Sequence, residues 1–377
     1  MPSVTREAAT LFRLDRHHLN NRAKREHLAK VVSDICGVQA QLMSAAELSL
    51  WTRVDGLQRE EIGDVLFNKH TLVKTWCMRG ACHIIASADL PILVGGISRY
   101  GLQREKAWLS KRGISETEMD KTVKILVETL ADETLTREEL ADRVAARIGS
   151  KAKRWIENSW GGIVKQACLQ GLVVFGPNRG KNITFVRRTT WLPTVKDLPA
   201  KNAEEQLLLR YLSGYGPASL SDLAAWSGMT VGEAAAIKER VSDAVAEIDI
   251  EGKNCLIAKK DLGVLQKIKP EMQKEEKVRL LPSFDCFMLG YRDKSHLVDA
   301  LHYKKVYRKA GWLSPVVLLN GKAVGVWSYR KKGKKLQVLI EPFCKLTADV
   351  KKELQAETET LANFYKVTPS ILYKTEN

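Results

Sequence analysis

Leu172-Val173-Val174-Phe175-Gly176-Pro177-Asn178-Arg179-Gly180-Lys181-Asn182-Ile183-Thr184-Phe185-Val186-Arg187 reads as a β-hairpin. Leu172 to Phe175 is a short apolar run, Gly176-Pro177-Asn178-Arg179-Gly180 is turn chemistry, and Ile183 to Arg187 is the returning strand. The residues before it are helical. In Glu116 to Ala131 the apolar positions Met119, Val123, Leu126, Val127 and Leu130 recur at helical spacing. Thr136-Arg137-Glu138-Glu139 is a capping box, in which hydroxyl and carboxylate satisfy each other's backbone amides, and it opens a helix to about Ile148. Trp155 to Gln170 gives a third helix, stopped at Gly171. Three helices followed by a hairpin is the order of a winged helix-turn-helix.

The same order recurs on both sides. Downstream, Ala203–Leu212, Ser219–Trp226 and Thr230–Ser242 read as helices, with Ser219-x-x-Asp222 and Thr230-x-x-Glu233 as caps. Strands at Val245–Ile250 and Asn254–Ala258 flank Glu251-Gly252-Lys253. Upstream, helices are expected at about 22–36, 44–54 and 59–68, then strands at 71–78 and 82–86 around Arg79-Gly80. After about residue 275 strands dominate, at 278–281, 316–319, 323–329 and 336–340, with turns at Asn320-Gly321 and Lys332-Gly333. An amphipathic helix from Ala348 to Phe364 closes the chain. The expected architecture is α+β, with tandem winged helix-turn-helix modules at 1–110, 111–198 and 199–274. A β-rich domain carrying a basic hairpin and a terminal helix follows at 275–377.

The 60 Lys and Arg residues outnumber the 44 Asp and Glu, a net +16 that favours a polyanionic partner. The excess is concentrated. Residues 301–340 contain Lys304, Lys305, Arg308, Lys309, Lys322, Arg330, Lys331, Lys332, Lys334 and Lys335 and no acid. Tyr303, Tyr307, Trp312, Trp327 and Tyr329 interleave with them, and Trp312 and Trp327 are the expected core members. A ribbon tipped by Arg330, Lys331, Lys332, Lys334 and Lys335 suits a DNA groove. No apolar run approaches the roughly 20 residues of a membrane span. Seven scattered cysteines without a Cys-x-x-Cys motif point to a reducing cytoplasm and argue against a disulfide frame or a structural zinc. No cofactor or metal is expected, and a monomer is.

Gln39-Ala40-Gln41 stands apart. It lies between a helix stopped at Gly37, as C′, and a capping box at Ser44-Ala45-Ala46-Glu47. In an extended connector its amides point the same way, about 7 Å apart. They could hold a water or a sugar-phosphate edge, or cap orphan groups at the helix ends. Asp34 could approach them or be a solvated helix-face carboxylate.

The connector and several further strings resemble the AlkZ-like DNA glycosylases. Those strings are Gly37-Val38-Gln39-Ala40-Gln41, Trp76-Cys77-Met78-Arg79-Gly80-Ala81-Cys82-His83, Leu281-Pro282-Ser283-Phe284-Asp285 with Gly290-Tyr291-Arg292, and Asn320-Gly321-Lys322-Ala323-Val324-Gly325-Val326-Trp327. They span nearly the whole chain in order. The resemblance implies that Gln39 and Gln41 are catalytic, in a Gln-x-Gln branch that includes enzymes unhooking interstrand crosslinks and removing bulky alkylated purines. Ala81-Cys82 departs from the Thr-Leu usual before that histidine, which weakens the inference of local DNA contacts there but touches no catalytic assignment. Arg79 and His83 are nevertheless candidate DNA contacts, His83 equally a structural histidine.

Glutamine is no general base, so the substrate must already be labile. A purine alkylated at N3 or N7 is cationic and leaves neutral, needing no general acid. The expected activity is that of a monofunctional glycosylase on double-stranded DNA containing such bases, with a Gln-positioned water. No lysine neighbours the pair in sequence, so no Schiff base is implied. The alternative is a non-enzymatic winged-helix DNA-binding protein such as a transcription regulator.

Overall fold

The capping box at Thr136 forms in the computed structural model. The Glu139 amide donates to Thr136 Oγ1 at 3.2 Å, and the Thr136 amide to Glu139 Oε2 at 2.8 Å. The structure describes residues 1–158, 161–272 and 276–374, so the expected boundary at 274/275 lies outside the described residues. Its elements pack into two compact units. One comprises Met1–Ile62, Leu209–Trp226 and Val231–Asn377, the other Gly63–Leu208 and Ser227–Thr230.

The second unit begins with antiparallel strands Leu72–Trp76 and Cys82–Ala86, joined through Arg79 and Gly80 at positive φ (55° and 70°). Helix Leu90–Ser110 follows, which the sequence reading left unassigned. Helices Glu116–Leu130 and Arg137–Ile148 lie where apolar spacing put them. The third does not. It is two helices, Lys151–Glu157 and Ile163–Leu169, and residues 159 and 160 of the expected helix lie outside the described residues. Gly162 enforces the break, because it sits at φ 77° and a Cβ there would lie 2.4 Å from the Trp155 carbonyl. Strand Val173–Arg179 also runs past the expected turn, with a bulge between Gly176 and Arg179, and returns through Gly180-Lys181 as Asn182–Arg187. Trp76, Phe175 and Phe185 meet with ring centroids 4.7–6.3 Å apart. They bury aromatic surface between the two hairpins.

In the first unit Thr5 caps an unanticipated helix, Arg6–Arg16, and Ser3–Val4 pairs in parallel with Asp249 and Ile250. Hairpin Val245–Ile250 and Lys253–Ala258 turns at Glu251 and Gly252 with φ 50° and 82°. Ala9 and Phe12 of the helix share a core with Ile248, Ile257 and Leu265. The C-terminal sheet runs Val278–Leu281, Val316–Leu319, Lys322–Lys332, Lys335–Pro342, Thr368–Tyr373. The first four strands are antiparallel neighbours. Helix Ala348–Tyr365 does not close the chain. Strand Thr368–Tyr373 follows and pairs in parallel with Lys335–Pro342. Glu357 of that helix accepts twice from Arg22, at 2.9 Å each, and once from Arg279 at 3.3 Å. Arg53 and Asp285, fully buried, form a bidentate pair at 2.7 and 2.8 Å.

Candidate active site

The connector of interest is set by how the preceding helix stops. Leu28–Asp34 ends at Ile35, after which Cys36 and Gly37 both take positive φ, 56° and 95°. The Gly37 amide donates to the Val32 carbonyl at 2.8 Å and the Cys36 amide to Ser33 at 3.1 Å. This is a Schellman motif with Cys36, not Gly37, at C′. Tyr215 Oη donates to the Ile35 carbonyl at 2.9 Å. Gly214 lies so near that a Cβ would meet the Asp34 carbonyl at 2.6 Å. The helix end is thereby held from two sides.

From there Val38–Gln39 is a two-residue strand, and Gln41-Leu42 is a bend. Val38 and Ala40 are fully buried, Gln39 is half-buried and Gln41 exposed. Gln39 is thus the less buried residue of the strand, and Gln41 lies in the bend that leads to the next helix. Helix Met43–Trp51 starts one residue earlier than expected, at the extended residue Leu42, without a side-chain cap. The expected box at Ser44 does not form, because the Glu47 carboxylate is taken by Arg59 Nε at 2.8 Å.

Asp34 is not simply solvated. Its carboxylate meets His18 Nε2 at 2.9 Å and Lys30 Nζ at 2.7 Å. Partial burial pushes its pKa up, but the hydrogen bonds from His18 and Lys30 outweigh this and hold it below the usual carboxylate value. A cleft of about 440 Å³ opens here, lined by Arg16, His18, Lys30, Arg210, Lys260, Asp15 and Asp34 among others. Arg210 donates to Ser33 Oγ at 3.0 Å. Sequence reading missed this basic cleft because its residues come from separate segments with no motif of their own. His18, at φ 54°, is the one local oddity, and φ is not readable from residue type.

The basic hairpin belongs to the same unit as the glutamines, and Arg79 and His83 to the other. Lys332 pairs with Lys335 across a Gly333-Lys334 turn, and Arg330 to Lys335 are all exposed. Tyr329 Oη lies 3.0 Å from Tyr365 Oη, and Lys331 Nζ 5.3 Å from the Tyr365 ring. Trp327 is buried and donates to the Leu281 carbonyl at 2.8 Å. Trp312, expected in the core, is 45% exposed and touches Phe284 edge-on. It sits in an irregular segment after Ala310 and Gly311, both at positive φ, rather than on the sheet. His83 is buried, its Nδ1 3.0 Å from the Ala81 carbonyl, and burial lowers its pKa to about 3. A neutral, enclosed imidazole packs the strand and has no reach to a phosphate. Arg79 remains partly exposed on its turn.

Known proteins match this chain over most of its length. A family model described as DNA glycosylase AlkZ-like matches residues 32–364, a span that contains Gln39, Gln41 and the hairpin. The interstrand DNA cross-link repair glycosylase of Streptomyces sahachiroi is 29% identical over 340 residues, covering 88% of this chain and 89% of that protein. The solved structure of Streptomyces sahachiroi DNA glycosylase AlkZ superposes with a TM-score of 0.87. It is 26% identical and covers 98% of this chain and 100% of that one.

Proposed function

This chain belongs to the AlkZ-like DNA glycosylase family, and we propose that it is a monofunctional enzyme for cationic N3- and N7-alkylated purines in double-stranded DNA. The partial exposure of Gln39 and the exposure of Gln41, beside buried Val38 and Ala40 in a connector pinned at Ile35, are the observation that carries this reading. When the C1′–N bond breaks, its electron pair neutralises the departing base. Positive charge grows on the sugar, where the Gln39 and Gln41 carbonyl oxygens oppose it. A water held by the same amides forms the new C1′–O bond, loses its proton to solvent, and leaves an abasic site. Without a carboxylate base the enzyme forgoes the roughly 10²–10⁴-fold that general-base catalysis supplies, which confines it to bases already poised to leave. The same cleavage at an N7 atom that carries a crosslink unhooks one strand.

In this reading residues 1–110, 111–198 and 199–274 act as winged-helix modules, and 275–377 as the domain presenting the hairpin. Arg330, Lys331, Lys332, Lys334, Lys335 and Arg79 neutralise phosphates, while His83 is left out of the interface because its ring is buried. The protein acts as a monomer in the cytoplasm. The test is base release from DNA methylated at N7 of guanine. Wild type releases N7-methylguanine and no uracil from matched DNA, and Gln39→Ala lowers release roughly a hundredfold or more, the scale of losing a positioned group. Comparable uracil release, or full activity in Gln39→Ala, would overturn the reading. So would a protein–DNA adduct trapped by borohydride.

A further inference from the structure

A second cleft, of about 550 Å³, lies wholly within the unit formed by residues 63–208 and 227–230. Its walls are the end of helix Leu90–Ser110 with the turn after it, and helix Lys151–Glu157. Lys151, Arg154, Trp155 and Asn158 recur at i, i+3, i+4 and i+7, so one helical face supplies one wall. Opposite, the Arg112 guanidinium lies 3.5 Å above the Trp108 ring and donates to the Trp108 carbonyl at 3.1 Å. Among the described residues, the ten that line it include three cations, two tryptophans and no carboxylate. Lys151, Arg154 and Arg112 are exposed, and both tryptophans are half-exposed.

We propose that this cleft binds a nucleoside phosphate, one nucleotide of a DNA strand, with its base against the tryptophans and its phosphate on Lys151 and Arg154. The volume falls within the roughly 300–1,000 Å³ of small-ligand sites. Three cations with no carboxylate among the described lining residues favour an anion. Flat indole and guanidinium surfaces select an aromatic group and tolerate any base, the pairing that single-strand binders use. Neither the glutamines nor the basic hairpin lines this cleft. The choice of a DNA strand over a free nucleotide rests on the glycosylase reading; the cleft's chemistry does not.

Fluorescence anisotropy of a labelled, undamaged oligothymidylate with the full chain tests this. Trp155→Ala should weaken binding roughly tenfold and Trp155→Phe much less, as expected of a stacking contact. Lys151→Ala with Arg154→Ala should weaken it comparably and flatten the salt dependence by about 1.4 in log–log slope. These two side chains are exposed, so that variant decides the matter if Trp155→Ala fails to fold. Single-turnover base release at saturating protein should stay within about twofold of wild type in both variants, because neither touches the reacting sugar. Thymidine monophosphate should compete poorly; competition at equal phosphate concentration would keep the site and assign it to free nucleotides. Unchanged oligothymidylate binding in both variants would overturn the proposal. Loss of base release alone, with the Trp155 and Lys151/Arg154 effects intact, would sink the glycosylase reading and leave this one standing.

Discussion

Asp34 ends the helix before the connector, where its carboxylate meets His18 and Lys30. Its bond to His18 joins the helix end to the segment after Arg6–Arg16, while its bond to Lys30 stays within the helix. Asp34→Asn should cost less than about 1 kcal/mol in chemical denaturation, since the pair is 28% exposed on the Asp34 side. It should lower base release roughly ten- to a hundredfold by letting the connector shift. A larger loss of stability than of turnover would show that Asp34 serves the fold alone. The buried histidines make a separate prediction. His17, His83 and His296 all have pKa values lowered first by desolvation, to about 3 for His83 and about 2 for His296. Above about pH 6.5 these rings are neutral both folded and unfolded. Below it only the unfolded chain binds their protons, so stability is full above pH 6.5 and falls towards pH 3. Each ring adds a slope of about 1.4 kcal/mol per pH unit. Melting between pH 7 and 5, where most carboxylates stay ionised, should show this fall, and His83→Gln should make it shallower. A flat profile would mean that these rings are open to water in solution.

At the scale of elements, the hairpin Lys322–Lys332 and Lys335–Pro342 offers the cleanest separation of binding from folding. Its tip is exposed, so replacing Lys331, Lys332, Lys334 and Lys335 with Gln should leave the melting temperature within a degree or two. Affinity for duplex DNA should fall at all sequences alike, and the log–log salt slope should drop by about three to four. Unchanged affinity and slope would show that the ribbon is not the DNA contact. This hairpin was readable because alternation and turn chemistry are local. Asn320-Gly321 and Glu251-Gly252 take the paired positive φ of type I′ turns where the sequence put turns. Thr136 and Ser219 cap as their spacing requires. Elements were misread where distant groups intervene. Glu47 has the spacing of a capping partner, yet Arg59, twelve residues on, takes its carboxylate. Helix 155–170 has continuous apolar spacing, yet its Gly161-Gly162 pair lets the chain break against Trp155. Of the candidate site, the glutamine pair was singled out by its neighbours in sequence. The cleft of His18, Lys30, Arg210 and Lys260 was not, since Arg210 meets Ser33 across 177 residues.

Across the whole molecule, the contacts absent from the sequence pattern are those that close its first unit. Ser3–Val4 joins a hairpin about 245 residues away, and Thr368–Tyr373 adds a parallel strand beyond the last helix. Arg53 and Asp285 bring the end of helix Met43–Trp51 against the Pro282–Asp285 segment, with Ser49 Oγ donating to the same carboxylate at 2.8 Å. That helix begins two residues after Gln41, so the pair anchors the far side of the connector much as Tyr215 anchors the near side. Buried ions are costly to desolvate, and removing one partner strands the other. Asp285→Ala should therefore destabilise the chain by about 3–5 kcal/mol in urea unfolding. Arg53→Met combined with Asp285→Leu should recover most of that, because no charge is left unpaired. The two variants separate stability from positioning. If the pair also aligns the glutamines, the refolded double variant should still release N7-methylguanine more slowly than wild type, with weaker dependence on substrate concentration than on turnover. Wild-type turnover in a stable double variant would confine Arg53 and Asp285 to the core. A loss below about 1 kcal/mol in Asp285→Ala would contradict their burial altogether.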